Sequence, residues 1–459
     1  MFGVDEEKAS SSPITRKVTP LPVKELLVIV VVRITEPICY SLIFPFVNEM
    51  IENVGISPQY VGYYSGLVEG MFAFAQFFTV LSWGRLSDRI GRRPVVLMGC
   101  FGLIFSTILF GFARSFWAML VARALSGALN GNVAVIKSAV GEMTDRTNRA
   151  QAFALIPLTW SIGSILAPII GGFLARPVDN YPGLFGGIQL FIDYPYLLPC
   201  IAGASVSLCG VVLGILFMKE TLHSKRHLND KEMELQSPLS PETPIVTSMP
   251  EPEMNIAQIL RLPRVRAVLV NLCFLAITNV SIEAIFVLYL YSPVNDGGLG
   301  FTQQQIGMTM SCQAVTSIAV NFLLFPPLTR WLGMTNLYMI CSALHIPVIL
   351  LFPTIHYFAL REDQTSVLVG IACMICNNVL VNVVAPSRGT LGTVNGLAQM
   401  VSSGMRAIGP AIATTLFALT MTKNLLGGQL IWVFQLVLCC VWVWQGLSFR
   451  QFNFDDEDD

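Results

Sequence analysis

The stretch GRLSDRIGRR, Gly84 to Arg93, separates two long apolar runs. Hydrocarbon offers no partner for four arginines and an aspartate, so these ten residues mark a tight charged hairpin at a membrane face. Arginine and lysine in short loops are retained on the cytosolic side, which assigns this face to the cytosol.

The rest of the chain agrees. Its 459 residues are 54% hydrophobic and 12% charged, with a mean hydropathy of +0.64, which excludes an ordinary soluble domain. Apolar stretches of about 20 residues are long enough to cross a bilayer as helices. Six are expected before residue 219: Leu26 to Phe46, Val61 to Trp83, Val95 to Phe112, Phe116 to Ala139, Ala150 to Leu174 and Tyr194 to Met218. Six more follow: Ala267 to Tyr291, Gln304 to Leu328, Thr335 to Phe352, Thr365 to Ala385, Val394 to Leu419 and Gly428 to Leu447. These are spans 1 to 12. With the amino terminus inside, 20 of the 28 lysines and arginines fall in cytosolic segments, so both termini are placed in the cytosol. No cleavable signal is expected in the polar opening residues, and span 1 serves as the insertion signal.

Between Lys219 and Arg264 the chain turns charged and proline-rich, with almost no aromatic residues, the composition of a disordered linker. The expected organisation is therefore a tail over 1–24, a six-helix bundle over 25–218, a linker over 219–264, a second bundle over 265–447 and an acidic tail over 448–459. Internal similarity supports duplication: LSDRIG ending at Gly91 aligns with LTRWLG ending at Gly333, and LAPII around Pro168 with IGPAI around Pro410. The second copy of the turn has Arg330 in place of the aspartate. The fold class is an all-α membrane protein of twelve transmembrane helices in two pseudo-symmetric bundles, an arrangement that places a substrate site between the bundles near mid-membrane.

Ionisable groups inside the spans are the candidate chemistry. Arg33 and Glu36 lie three apart in span 1, on one helical face, followed by Pro37. A charge at mid-bilayer costs about 2.5–3.5 kcal/mol on insertion scales, so both must face the protein interior. Glu69 in span 2, Arg123 in span 4 and Glu283 in span 7 face the same constraint. Together, Glu36, Glu283, Glu69, Arg33 and Arg123 are the proton-coupling candidates; for Glu36 the competing role is a permanent ion pair. Lys137 is expected to snorkel to the cytosolic surface. In span 5, Gly163, Pro168, Gly171 and Gly172 are spaced for close helix approach and a bend; packing and transport roles both suit them.

The turn residues Gly84, Asp88, Arg89, Gly91, Arg92 and Arg93 resemble the loop between helices 2 and 3 of the major facilitator superfamily of transporters. The span 4 arginine resembles that superfamily's helix 4 motif, and GSILAPIIGG the helix 5 motif of its antiporters, with Ala167 in place of a glycine. Arg33 to Pro37, DYPYLLP at Asp193 to Pro199 and SSGMRAIGP at Ser402 to Pro410 are similar to the branch that holds fungal drug:proton antiporters and plant zinc-induced facilitator-like carriers. The plant signatures rich in Cys and His are missing here, where the histidines are His223, His227, His345 and His356, so zinc-related transport is disfavoured.

The resemblance implies a cavity lined by helices 1, 4, 7 and 10, nominating Tyr40, Asn130, Asn279, Phe286, Asn377, Asn378 and Asn382 beside Glu283. It also implies that Asp88 faces the start of helix 11 near Gly389 to Thr393, locking the cytosolic side when the cavity opens outward. The eleven cysteines read as core residues, and Cys373 with Cys376 lacks a neighbouring histidine, so no metal site is expected. No GxxxxGK[ST] loop is present, which removes the usual nucleotide cradle.

The expected function is that of a monomeric secondary transporter, not an enzyme, exporting a small organic compound in exchange for protons. It would need no cofactor and bind no nucleic acid, and would work in the plasma membrane, with the vacuolar membrane as the alternative. The rival readings are a nutrient facilitator or proton symporter, a metal-chelate carrier and a non-transporting receptor or scaffold.

Overall fold

The computed structural model describes residues 19–145, 147–222, 261–382 and 392–447. Among them, nine helices are long and apolar enough to cross a membrane. The other three expected spans, 1, 10 and 11, also form helices.

In the first half, α1 (Val23–Ser41) carries Pro37 and gives way to a turn, then α2 (Val47–Asn53). Span 2 is α3 (Pro58–Ile90) and span 3 is α4 (Arg92–Gly111). Span 4 is two helices, α5 (Phe116–Leu129) and α6 (Asn132–Glu142), interrupted at Asn130-Gly131. Span 5 is α7 (Arg149–Leu174). Three short helices, α8 (Pro177–Asn180), α9 (Pro182–Phe185) and α10 (Gln189–Asp193), lead to α11 (Leu197–Phe217), span 6. The second half starts with α12 (Pro263–Tyr291), span 7. Span 8 divides into α13 (Gln303–Leu323) and α14 (Phe325–Leu332), and spans 9 to 12 are α15 (Met334–Ala359), α16 (Gln364–Asn382), α17 (Gly392–Thr422) and α18 (Leu430–Leu447).

The expected hairpin is narrower than its charge pattern suggests. Helix α3 continues through Gly84 to Ile90, and the whole reversal sits at Gly91, whose φ of 106° only glycine adopts without strain. Charged side chains are as well solvated on a protruding helix end as in a loop, so charge alone did not fix where the helix stops. Gly333, aligned with Gly91 in the repeat, turns at φ 75° between α14 and α15.

Two seams join the halves, both remote from the Gly91 turn. On α3, Gly62, Gly66 and Gly70 present a smooth strip to α17: a Cβ at Gly66 would meet Thr414 Oγ1 and, at 2.8 Å, the Pro410 carbonyl. On α7, Gly172 lies against Gln303 and Gly307 of α13, and the Ser311 hydroxyl donates to the Ile165 carbonyl at 2.8 Å. Small residues at four-residue spacing allow this backbone approach in lipid, where dispersion replaces the hydrophobic effect as the driving force. At the same remote end the Glu52 carboxylate pairs with the Tyr291 hydroxyl across the halves.

The apolar core follows the same division. One cluster runs through both halves, including Ile38, Leu42, Phe110, Leu288, Phe352 and Trp432. The cluster nearer the Gly91 turn, with Leu26, Val95, Ile136 and Val211, belongs to the first half alone.

Candidate functional site

The interruption in span 4 builds the first part of the site. Ending α5 at Leu129 frees carbonyls, and the Trp83 indole N–H satisfies that of Ala128 at 2.7 Å. The Trp83 side chain packs against Gly131, where a Cβ would collide with it. Freed from the helix, the Asn130 side chain donates to Glu36 Oε1 at 2.9 Å, while Glu36 Oε2 pairs with the Arg33 guanidinium. Arg33 and Glu36 are 7% and 4% exposed, so this triad is sealed away from water. Span 1 itself is seated by span 5, where Gly163 accommodates the Pro37 ring and Gly171 the Leu42 carbonyl.

Below the triad, Arg123 is 2% exposed, with its guanidinium 5.0 Å from the Phe72 ring centroid and 5.5 Å from that of Tyr40. Its Nε and Nη2 have no hydrogen-bond partner. Tyr40 also packs on Trp160, at 5.6 Å between centroids. Glu69, from α3, is buried within electrostatic reach of Arg123 and of Glu283 across the halves. Glu283 differs from the other carboxylates: protein surrounds it, yet its side chain is exposed, so it lines a cleft. Arg406, on α17, answers its charge.

Lys137, expected to snorkel, has charged neighbours inside the protein. It is enclosed by protein but exposed, within electrostatic reach of Arg33, Glu36 and Arg406. Its helix was legible in the sequence; its neighbours, which come from other helices, were not.

Two nominated cavity residues make contacts within the second half. The Asn279 carbonyl oxygen pairs with His345 Nε2 at 3.0 Å, inside the second half. Phe286 is 3% exposed and packs edge-on to Phe352. Helix periodicity gives a face, but most of α12 is buried and only some of its residues, Glu283 among them, are exposed. Asn377, Asn378 and Asn382 are on α16, but their side chains lie outside the described residues.

At the turn, the Arg92 guanidinium reaches Asp88 at 2.6 Å and Glu142 at 2.8 Å. The Glu220 carboxylate accepts the backbone N–H groups of Arg92 at 2.8 Å and Arg93 at 3.2 Å, occupying the start of α4, where N–H groups and the helix dipole favour an anion. Thr221 donates to Glu142 at 2.8 Å. Residues Glu220 and Thr221, placed in the linker by composition, thus hold the turn. Asp88 and Arg89 are exposed, Gly84 has open space around it, and the span 11 segment expected to face Asp88 lies largely outside the described residues. In span 5, Pro168 presents its carbonyl to Gly307, so the motif residues Gly163, Pro168, Gly171 and Gly172 all serve close packing in this conformation.

Among the described residues no cluster of His, Cys, Asp and Glu could hold a metal ion.

Comparison with known proteins places this geometry. The sequence profile of the Major Facilitator Superfamily matches residues 29–410. The major facilitator-type transporter psiT2 of Psilocybe cyanescens is 29% identical, over 97% of this chain and 92% of its own. The multidrug transporter mfsB of Aspergillus fumigatus is 31% identical, over 85% and 78%. The Arabidopsis thaliana protein ZINC INDUCED FACILITATOR-LIKE 1 is 28% identical, over 86% and 84%, so both branches expected from the motifs are represented. A D-xylose–proton symporter has the same fold, with a TM-score of 0.65 at 12% identity, over 92% and 97%.

Proposed function

The chain belongs to the Major Facilitator Superfamily, whose members are membrane transporters rather than enzymes, and on that premise we propose that it is a proton-coupled antiporter exporting a small organic compound by alternating access. The observation that carries this reading is the contrast among its membrane carboxylates. Glu283 opens on the cleft opposite Arg406, whereas Glu36 is sealed by Arg33 and Asn130. A carboxylate in contact with water can trade a proton for a ligand; one locked in a dry ion pair cannot without breaking it. Glu283 is therefore the exchanging group, Glu69 and Arg123 its partners across the halves, and Glu36 a structural residue.

The arginine-rich turn supports placing its end of the bundle in the cytosol, at the plasma membrane. With both seams at the remote end, the described conformation reads as open toward the cytosol. Substrate entering the cleft displaces the proton from Glu283; after reorientation a proton from outside displaces substrate. The Gly91 turn, clamped by Glu142 and Glu220, carries Asp88 toward the second half when the cytosolic side closes.

Proteoliposomes loaded with fluorescent organic dyes of either charge test the proposal. An imposed pH gradient should drive dye movement against the proton flow, and Glu283→Gln should abolish gradient-driven movement while sparing dye exchange. Full gradient-driven transport by that variant would refute the assignment, and dye moving with the protons would refute antiport.

A further inference from the structure

Ahead of α1 the sequence reads Thr19-Pro20-Leu21-Pro22, and Thr19 is bound to the turn between α6 and α7 by every polar group it has. Its N–H donates to Thr147 Oγ1 at 3.2 Å, its hydroxyl donates to the Asp145 carboxylate, and its carbonyl accepts from the Asn148 side chain at 3.4 Å. Asn148 also reaches the Pro20 carbonyl, at 3.5 Å. Pro20 and Pro22 bring no N–H, which leaves Thr19 as the main point of attachment. The attachment lies at the surface: Thr19, Pro20 and Asp145 are exposed, while Asn148 is buried. A residue before proline is biased to extended backbone, the shape in which a segment enters a kinase groove, and the following proline is the mark by which proline-directed kinases choose a hydroxyl.

The carboxylate that faces this hydroxyl is fixed. Asp145 accepts from the Thr147 N–H at 2.8 Å, the Thr147 hydroxyl at 2.6 Å and the Asn148 N–H at 3.2 Å, so it stays ionised and turned toward Thr19. The neighbouring cation, Arg149, directs its guanidinium to the Thr144 carbonyl at 3.5 Å. This seat suits a hydroxyl and rejects a phosphate. A phosphoryl group removes the donor and sets about 1.5–2 negative charges against an ionised carboxylate.

We propose that Thr19 is a phosphoacceptor for a proline-directed Ser/Thr kinase, and that the phosphate undocks the amino-terminal segment from the α6–α7 turn. The Thr19 hydroxyl oxygen attacks the γ-phosphorus of a nucleoside triphosphate. The new O–P bond forms as the bond to the departing diphosphate breaks, and the hydroxyl proton passes to the general base of the kinase. While docked, the hydroxyl is engaged by Asp145, so the undocked fraction is the substrate. Once modified, the segment cannot return to its seat, and the Glu25–Lys219 pair, at 3.0 Å, remains to hold the start of α1. With the transport reading this inference shares only the cytosolic placement of the Gly91 end, where nucleoside triphosphate is present.

The full chain in lipid nanodiscs, which leave both faces open, provides the test. A purified proline-directed kinase and ATP are added, and phosphate is mapped by mass spectrometry beside a peptide of residues 14–25. Thr19 should take phosphate, more slowly than in the peptide. Asp145→Ala should raise the rate at Thr19 by about fivefold or more, the scale of one lost hydrogen bond to a charged group, and leave the rates at Ser237 and Ser240 unchanged. Amide exchange over residues 19–26 should be about tenfold faster in the phosphorylated chain, and Thr19→Val should show no change on treatment with the kinase. The inference is overturned if Thr19 stays unmodified while the peptide reacts, or if Asp145→Ala leaves its rate unchanged. It is equally overturned if exchange stays the same or slows after phosphorylation, the result of a phosphate that pairs with Arg149. None of these readouts uses a pH gradient, a transported compound or a sealed membrane, so this proposal and the transport reading fail separately.

Discussion

Glu36 and Glu283 occupy the opening spans of the two halves, and the tertiary structure treats them in opposite ways. Glu36 sits in a dry triad with Arg33 and Asn130; Glu283 stands at a water-accessible cleft facing a guanidinium from another helix. Both are single carboxylates in apolar helices. What separates them is whether a neighbouring element folds over the side chain, and for Glu36 that element is the interrupted span 4. A membrane carboxylate is a functional residue only when its surroundings leave it something to exchange.

Removing a partner from the sealed triad should have the largest effect. Glu36→Ala leaves Arg33 buried and uncompensated, a loss of about 3–5 kcal/mol that should appear as poor recovery of monodisperse protein and a lowered Tm. Glu283→Gln should leave the Tm nearly unchanged while removing coupling. Equal destabilisation by the two variants would break the contrast.

Next come the seams on which the cleft depends. Gly66→Leu and Gly172→Leu insert side chains where carbonyls of the facing helix already lie, and overpacking of this kind costs about 1–3 kcal/mol. Cysteine labelling from the remote end should increase in both. Gly404→Ala is the control, because its Cβ would lie 3.8 Å from Phe77, an ordinary contact. Glu220→Ala should cost about 0.5–2 kcal/mol, the range for a lost helix N-terminal partner, and speed amide exchange at Arg92, Arg93, Thr221 and Leu222, whose N–H groups it accepts.

The smallest effect concerns the strap that ties Thr19 to the turn before α7. Hydrogen bonds from Thr147 and Thr19 hold the Asp145 carboxyl down to about 2, against an ordinary 3.8. A depressed carboxylate stabilises above its unfolded value and loses that contribution only as pH falls through about 2. Melting curves of the wild type and Asp145→Asn should therefore keep a constant offset at all pH values above the ordinary aspartate range.

Much of this was readable from composition and spacing. The apolar runs correspond to helices because lipid leaves the backbone no other way to satisfy its hydrogen bonds. Arg33 and Glu36 were expected to meet because helical geometry puts residues three apart side by side. The stop at Gly91, the break at Asn130-Gly131, the seat of Asn279 on His345 and the burial of Phe286 were not readable in the same way. The pair Asn-Gly inside span 4 was a signal of the break, since both residues favour turns over helix interiors.

The sequence by itself determined that this chain lies in a membrane, that its helices fall into two related sets, and that several charges are held within them. Those properties follow from local polarity and helical period, which each segment carries alone. Only the tertiary structure decided which charges are sealed and which line the cleft, because that depends on distances between side chains from different helices and on where water reaches. Lys137 and Arg406 are far apart in sequence; packing α6 and α17 around one cleft brought them into each other's field.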